Sequence, residues 1–311
     1  MADADVDAVV FTGSVATGRK VATACAARLI PCSLELGGKD AAIVLDDAPL
    51  ERTARGVVWG AFTNAGQNCA SIERVYVVKA IAEAFTERVV ALTKELVPGR
   101  DIGSMTTAAQ AGLVRQQIAA AVAGGAEILC GGVPGQGVTE IAPTVVKVTD
   151  EESDLMQEET FGPVLPIVVV ADEDEAIRRA NASKFGLTVS VWTKRVSRSD
   201  ELARRLRSGV LTINNHGFTA ALPAAPWSGV KQSGFGVTNG PHALGALVRP
   251  RLVLVDRNGA KSELWWYPYT KSLRDVAQSM AVLRGGGGIL ARVRAFFMLL
   301  GALPRRVMGR P

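Results

Sequence analysis

The amino-acid sequence predicts an α/β fold organised around a mostly parallel sheet. Three observations lead there. Short apolar, strand-like runs alternate with segments of helical periodicity over most of the chain. Glycine-containing turns stand between several of them. A length of 311 residues at 48% hydrophobic content is enough to bury a large core in one large or two moderate domains.

In chain order, Val9-Val10-Phe11, then Thr12-Gly13-Ser14, then Gly18 predict a short buried strand, a tight turn and a helix start. Leu34 to Leu36 and Ala41 to Leu45 are strand-like runs separated by Gly37-Gly38. Leu50, Ala54, Val57, Val58, Ala61, Phe62 and Ala65 recur at helical spacing, so a helix is expected to run up to the loop that holds Cys69. Val75 to Val78 reads as a strand, and Ala82, Phe85, Val89, Leu92 and Leu96 form one apolar helical face. Thr107 and Gln110 have the spacing of a capping box opening a helix through about Val122, which Gly124-Gly125 stops. Strands are expected near Thr144 to Val148, Val164 to Val170, Val189 to Thr193 and Val210 to Ile213, with helical segments near Asp174 to Ala180 and Asp200 to Arg207. Beyond Gly217 the pattern breaks into loop residues, and Leu247 to Val255 is predicted as an exposed strand. Gly285 to Gly288 has the composition of a flexible linker, and no internal repeat is apparent.

The net charge of +5 is unevenly spread. Residues 257–311 carry ten Lys and Arg against Glu263 and Asp275, a difference of +8 that leaves −3 for residues 1–256. The basic balance belongs to the tail, and it does not argue for a nucleic-acid partner. Ala295 to Leu303, the longest uncharged apolar stretch there, is about nine residues where a bilayer span needs about 20. Two readings of the tail stay open: an amphipathic basic segment in weak contact with a membrane surface, or a helix packed on its own domain or a sister subunit with its arginines in solvent. Leu264-Trp265-Trp266-Tyr267-Pro268-Tyr269 is expected to pin the tail to the body, because exposing adjacent tryptophans is costly. Cys25, Cys32, Cys69 and Cys130 are unevenly spaced, and no charged-then-apolar leader opens the chain. A cytoplasmic setting is therefore expected, with Cys25, Cys32 and Cys130 structural. Neither His216 nor His242 has partners at metal-ligand spacing, so no metal site is expected, and His216 reads as a solvated loop residue.

Glu35, in Leu34-Glu35-Leu36-Gly37-Gly38-Lys39, precedes Cys69, in Gly66-Gln67-Asn68-Cys69-Ala70-Ser71, by 34 positions. A carboxylate and a thiol, each in a small-residue loop, form a base-and-nucleophile couple suited to acyl chemistry through a thioester. The apolar flanks of Glu35 should raise its pKa toward neutrality and suit it to proton abstraction. Taken singly, a cysteine is more often a small buried hydrophobe and a strand-end glutamate more often an ion-pair partner. Taken together, the two motifs resemble the aldehyde dehydrogenase superfamily. The resemblance runs from about Val9 to Val255, and between Arg28 and Val78 it is greatest to bacterial succinate-semialdehyde and general aldehyde dehydrogenases.

That resemblance implies an aldehyde dehydrogenase-like α/β fold. Residues 1–36 would be the remaining part of a Rossmann-type dinucleotide-binding domain, 37–240 the catalytic domain, 241–256 an oligomerisation strand and 257–311 an added tail. It also implies that the family's amino-terminal portion is absent, including an asparagine that donates to the oxyanion and a lysine that grips the adenosine ribose. Loss of one oxyanion donor alone costs about 10²- to 10³-fold in turnover. Cys69 would be the nucleophile, Glu35 the base for the deacylating water, NAD or NADP the hydride acceptor, and a small-molecule aldehyde the substrate. Gly13, Ser14 and Gly18 match the cofactor turn, where backbone amides and the helix dipole favour a pyrophosphate. Glu159, in Glu158-Glu159-Thr160-Phe161-Gly162-Pro163-Val164, matches the glutamate that bonds a ribose hydroxyl, and Phe161 the aromatic near the nicotinamide. Pro226 to Gly236 matches the segment lining the substrate entrance, with Trp227 and Ser228 where phenylalanine and glycine are usual. Asn214 matches an asparagine at a strand end near the active site. Leu247 to Val255 would pair with a neighbouring subunit in a homo-oligomer, an ordinary edge strand being the alternative. Two other functions stay open at this point: an inactive interaction module that joins full-length relatives, and a cofactor-independent thiol esterase using Cys69 and Glu35.

Overall fold

The β-branched runs assemble into one large sheet and a small separate one. The computed structural model describes residues 5–132, 137–217, 219–257, 259, 263–286 and 288–307. The chain opens with β1 (Val9–Thr12), α1 (Val15–Ala27) and β2 (Cys32–Glu35). β1 and β2 pair in parallel with Thr12 opposite Glu35, and Val21 and Cys25 of α1 pack with Leu34 and Leu36 in a small core.

The large sheet contains β3 (Asp40–Val44), β4 (Ile72–Val78), β5 (Glu127–Cys130), β6 (Thr144–Lys147), β7 (Val164–Val170), β8 (Thr188–Trp192) and β9 (Val210–Ile213). Its order is β5-β6-β7-β4-β3-β8-β9, and every neighbouring pair is parallel except β5 with β6. All residues of the central strands β3 and β4 are buried, as in parallel sheets covered on both faces. The covering helices are α2 (Leu50–Phe62), α3 (Lys79–Lys94), α4 (Ala108–Ala123), the short α5 (Asp154–Gln157), α6 (Glu173–Ala182) and α7 (Ser199–Arg205). α2 buries Ala54, Val57, Val58 and Ala61 and leaves Glu51 and Arg55 outside, the stripe its periodicity predicts. Each fully buried Val, Leu, Ile or Phe in this core contributes about 1.5–3 kcal/mol of transfer free energy. β5 gave no sequence signal because it is a four-residue, half-exposed edge strand.

Several local expectations are corrected. α2 stops at Phe62, short of Ala65, because Asn64, Ala65 and Gly66 take left-handed φ values of 54°, 56° and 69°. That conformation costs an L residue about 1–2 kcal/mol. It is held by Asn64 Nδ2 donating to Gln67 O (2.9 Å) and Gln67 Nε2 donating to Asn64 O (3.1 Å). Thr107 caps α4 by accepting from Gln110 N at 3.2 Å, but the Gln110 side chain does not reach back. Its Nε2 donates instead to Thr160 O at 2.8 Å.

No strand forms at Leu247 to Val255. After β10 (Gly234–Phe235) and α8 (Gly240–Ala246), residues 248–257 have no regular structure, with Leu252 and Leu254 87% and 85% exposed. A strand requires a partner backbone, and among the described residues none pairs with this segment.

The chain divides into two compact units, residues 1–249 and 250–311. The second holds α9 (Lys271–Gly285) and α10 (Ile289–Val307), which pack on each other across a turn with left-handed Gly286. Within the predicted linker, Gly287 lies outside the described residues. Trp265 and Trp266 are 48% and 55% exposed. The backbone of the aromatic run serves the tail: the Arg306 guanidinium donates to Leu264 O (2.9 Å), Pro268 O (3.0 Å) and Trp266 O. No described helix is long and apolar enough to cross a membrane.

Candidate active site

Glu35 closes β2, and its backbone is fixed from two sides. Gly13 N donates to Glu35 O at 3.0 Å, Gly234 stands opposite Glu35 in the antiparallel β2/β10 pair, and Leu36 N donates to Ser233 O at 3.0 Å. The residue is 6% exposed, and neither carboxyl oxygen has a hydrogen-bonded partner among the described residues. Burial without a partner disfavours the charged form. It pushes the pKa up to about 7, against a smaller opposing pull from the Trp227 and Thr238 side chains, which approach without reaching hydrogen-bond geometry.

Cys69 follows the left-handed turn at Asn64 to Gly66, and the loop is anchored by Gln67, whose Oε1 accepts from Thr106 N at 2.8 Å. The half-buried thiol packs beside Ala70, Leu187 and Trp227, and its Sγ donates to Asn68 Oδ1 at 3.8 Å. Burial pushes the thiol up to about 11; the nearby charges of Asp40, Glu159 and Glu35 push the same way, and the Ala70 amide opposes them. Cys69, Glu35 and Glu159 thus share one electrostatic neighbourhood although they are dispersed in sequence.

Gly37-Gly38 is where these groups converge. Gly38 N donates to Glu159 Oε1 at 3.3 Å, and Ser233 Oγ donates to Gly37 O at 2.8 Å. A Cβ on Gly37 would stand 2.2 Å from Glu159 Oε2, and one on Gly38 would stand 2.6 Å from Cys69 O. Only glycine permits so close an approach. Burial raises Glu159 to about 7, with Glu73 adding and the Gly38 amide and Lys39 opposing. Glu159 lines a groove of about 670 Å³ together with Ser14, Arg19, Gln117 and Gln232. Ser14 caps α1 by accepting from Thr17 N at 3.3 Å, and Gly18 lies so close to Leu36 that a Cβ would come within 2.5 Å of Cδ2. Phe161, with φ of 47°, follows in the same turn as Glu159.

A match to the aldehyde dehydrogenase family covers residues 1–253. The chain belongs to that family. It is 39% identical over 274 residues to 4,4'-diapolycopene aldehyde oxidase from Methylomonas, covering 87% of this chain and 51% of that one. It is 39% identical over 247 residues to a provisionally assigned succinate-semialdehyde dehydrogenase (NADP+) of Mycobacterium tuberculosis, covering 76% and 48%. Among solved structures it is similar to M. tuberculosis aldehyde dehydrogenase complexed with NAD+, with a TM-score of 0.77, 35% identity, and 83% and 55% coverage. The chain spans about half the length of the curated relatives it matches.

Other residues of this aldehyde dehydrogenase-family site escaped sequence reasoning. Lys39 and Glu73 form a buried ion pair at 2.6 Å, with side chains 0% and 3% exposed. Burial lowers the Lys39 pKa and the Glu73 carboxylate opposes that shift. Glu73 also accepts from Thr160 N (2.7 Å) and Phe161 N (2.8 Å), and Lys39 Nζ donates to Thr160 Oγ1 (2.8 Å). The pair therefore holds the turn that carries Glu159. Its signal is a lysine after the double glycine and adjacent opposite charges, Glu73-Arg74, inside an apolar run. Asp40 is 2% exposed and held well above the usual carboxylate range by burial, with Oδ1 accepting from Thr188 N at 3.0 Å.

His216 is corrected outright. It is 1% exposed, and its Nε2 lies 2.6 Å from Ala70 O, the carbonyl next after Cys69. Burial lowers its pKa to about 4, so the neutral ring donates to that carbonyl. Asn214 clamps strand ends: its Oδ1 accepts from Thr193 N (2.8 Å) and its Nδ2 donates to Thr193 O (2.7 Å). Trp227 is buried beside Cys69, and its backbone exchanges two hydrogen bonds with Thr238 at 2.7 and 2.8 Å.

Proposed function

We propose that this chain carries the catalytic part of an NAD(P)-dependent aldehyde dehydrogenase that oxidises an aldehyde to a carboxylic acid through a thioester on Cys69. The observation that carries the reading is Glu35, a buried carboxyl with no bonded partner among the described residues, poised near pH 7 in the electrostatic range of a half-buried thiol. Such a carboxyl has the pKa that a general base needs at neutral pH.

The residues present fit a nicotinamide cofactor at its reactive end. The groove beside the capped start of α1 reaches Glu159, a carboxyl lying against the glycine cradle that a Cβ at Gly37 would fill. Ser14 and Arg19 would face the phosphates, and Glu159 would take a ribose hydroxyl. When bound, the nicotinamide supplies a hydride acceptor.

The chain's own groups do the rest. Cys69 rests as a thiol, because its pKa stands near 11, and must give up a proton before Sγ can add to the aldehyde carbonyl carbon. Glu35, titrating near 7, is the group suited to take a proton first from the thiol and, after returning it to solvent, from the water that attacks the acyl carbon. Trp227, Ala70 and Leu187 keep the sulfur's surroundings apolar, which protects the acyl group from uncontrolled hydrolysis. We also infer that the exposed apolar residues from Leu247 to Val255 become ordered by pairing with another copy of the chain.

The test is formation of NADH and NADPH over a panel of aldehydes by the chain, by Cys69→Ala and by Glu35→Gln. Turnover abolished by the first substitution and cut by at least about 10²-fold by the second supports the reading. Undiminished oxidation by Cys69→Ala overturns it. Ester hydrolysis that needs Cys69 but ignores added cofactor would assign the couple to a thiol esterase instead.

A further inference from the structure

We propose that α10 docks this chain on the surface of an anionic phospholipid bilayer, lying in the headgroup layer rather than crossing it. The proposal is independent of the dehydrogenase reading. At about 100° per residue, Ile289, Val293, Phe296, Leu300 and Val307 fall within a stripe about 60° wide. They are 82%, 48%, 50%, 56% and 73% exposed, and Phe297 beside them is 66% exposed. The opposite face is accounted for, since Ala295 and Ala302 are buried where α10 packs on α9. An apolar stripe of this length left in water marks a contact surface.

Charge identifies the occupant. Arg292 lies about 40° from one edge of the stripe; Phe297 and Leu290, the latter 86% exposed, extend the other edge, and Arg294 and Arg305 lie about 40° and 60° beyond Leu290. All three arginines are exposed, and no Asp or Glu occurs between Ile289 and Val307. A second copy docked stripe to stripe would bring these arginines against their own counterparts, a like-charge contact that disfavours the pairing. A layer of anionic headgroups over acyl chains satisfies both parts at once, with aromatic and aliphatic side chains in the boundary and guanidinium groups on phosphates. The helix lies beyond residue 253, where the family match ends, so the surface belongs to this chain's tail and not to the shared catalytic architecture.

The test is co-sedimentation of the full chain with vesicles of phosphatidylcholine alone and of phosphatidylcholine with about a third phosphatidylglycerol. Partition is expected to rise at least about tenfold with the anionic lipid and to fall as salt is raised. Arg292→Gln/Arg294→Gln/Arg305→Gln should weaken it on the order of 100-fold, at about fivefold per arginine. Phe296→Ser/Phe297→Ser should abolish it, with helix content checked by circular dichroism. Absence of binding to the anionic vesicles, or equal binding to both compositions, overturns the proposal. So does unchanged vesicle binding by Phe296→Ser/Phe297→Ser accompanied by loss of a self-associated species, which would assign the stripe to a second copy.

Discussion

Replacing Glu73 with alanine should destabilise the unit of residues 1–249 more than any nearby surface change. The carboxylate accepts three hydrogen bonds, from Lys39 Nζ at 2.6 Å, Thr160 N at 2.7 Å and Phe161 N at 2.8 Å, at a site where both charged side chains are at most 3% exposed. Removing it leaves a buried ammonium with Thr160 Oγ1 as its remaining acceptor among the described residues. Breaking a buried pair in this way costs about 3–5 kcal/mol, a large share of the roughly 5–15 kcal/mol that holds a domain folded. In a unit of this size the melting temperature should fall on the order of 10 °C. Lys39→Met/Glu73→Gln removes both charges and keeps an acceptor for the Thr160–Phe161 turn, so it should recover part of the loss. Urea unfolding of the wild type, Lys39→Met, Glu73→Gln and the double variant measures the coupling, with Glu73→Ala unfolded alongside. A loss below about 1 kcal/mol in Glu73→Ala, or strict additivity in the cycle, would refute the account of the pair as the support of the Glu159 turn.

The other predictions concern groups around the same double glycine. With a folded pKa near 7 against an ordinary 4.5, Glu35 weakens folding as pH rises through that window and the carboxylate forms, with the full cost present above 7. Glu35→Gln should flatten that fall in stability, measured by chemical denaturation from pH 4 to 8, while turnover by the wild type should rise over the upper part of the same range. In Gly37→Ala the new Cβ lies 2.2 Å from Glu159 Oε2 and must displace the carboxylate, so the KM for cofactor should rise much more than the stability changes. His216→Phe strips Ala70 O of its buried donor, a loss of about 1–3 kcal/mol that should also alter the alkylation rate of Cys69 by iodoacetamide. Because the His216 pKa is lowered to about 4, its neutral form stabilises the fold above the ordinary value of 6.5, and this contribution fades as pH falls toward 4. His216→Phe should therefore unfold with less acid sensitivity across that interval, and an unchanged acid limb would refute the assignment of His216 as a buried neutral donor.

What the sequence made readable, and what it hid, follows from the range of the interactions involved. β3, β7 and β8 announce themselves because a strand buried on both faces must be apolar at nearly every position, and α2 because its buried residues repeat every three or four. Glu35 and Cys69 were found through motifs whose small neighbours have a local cause, the close passage of Glu159 and the Cys69 backbone over Gly37-Gly38. β4 was read three residues short because Glu73 and Arg74 look like solvent-facing charges until Lys39, 34 positions earlier than Glu73, is known to lie beside them. His216 was misread for the same reason, since its partner Ala70 is 146 positions away and no local pattern distinguishes a buried donor from a loop histidine. Leu247 to Val255 fails differently. Its apolar composition suits a strand, but pairing requires a partner backbone, and no described part of the same chain pairs with it. The same limit applies to α10, whose periodicity describes a face while the identity of what covers that face depends on the arginines that flank it and on the surface they meet.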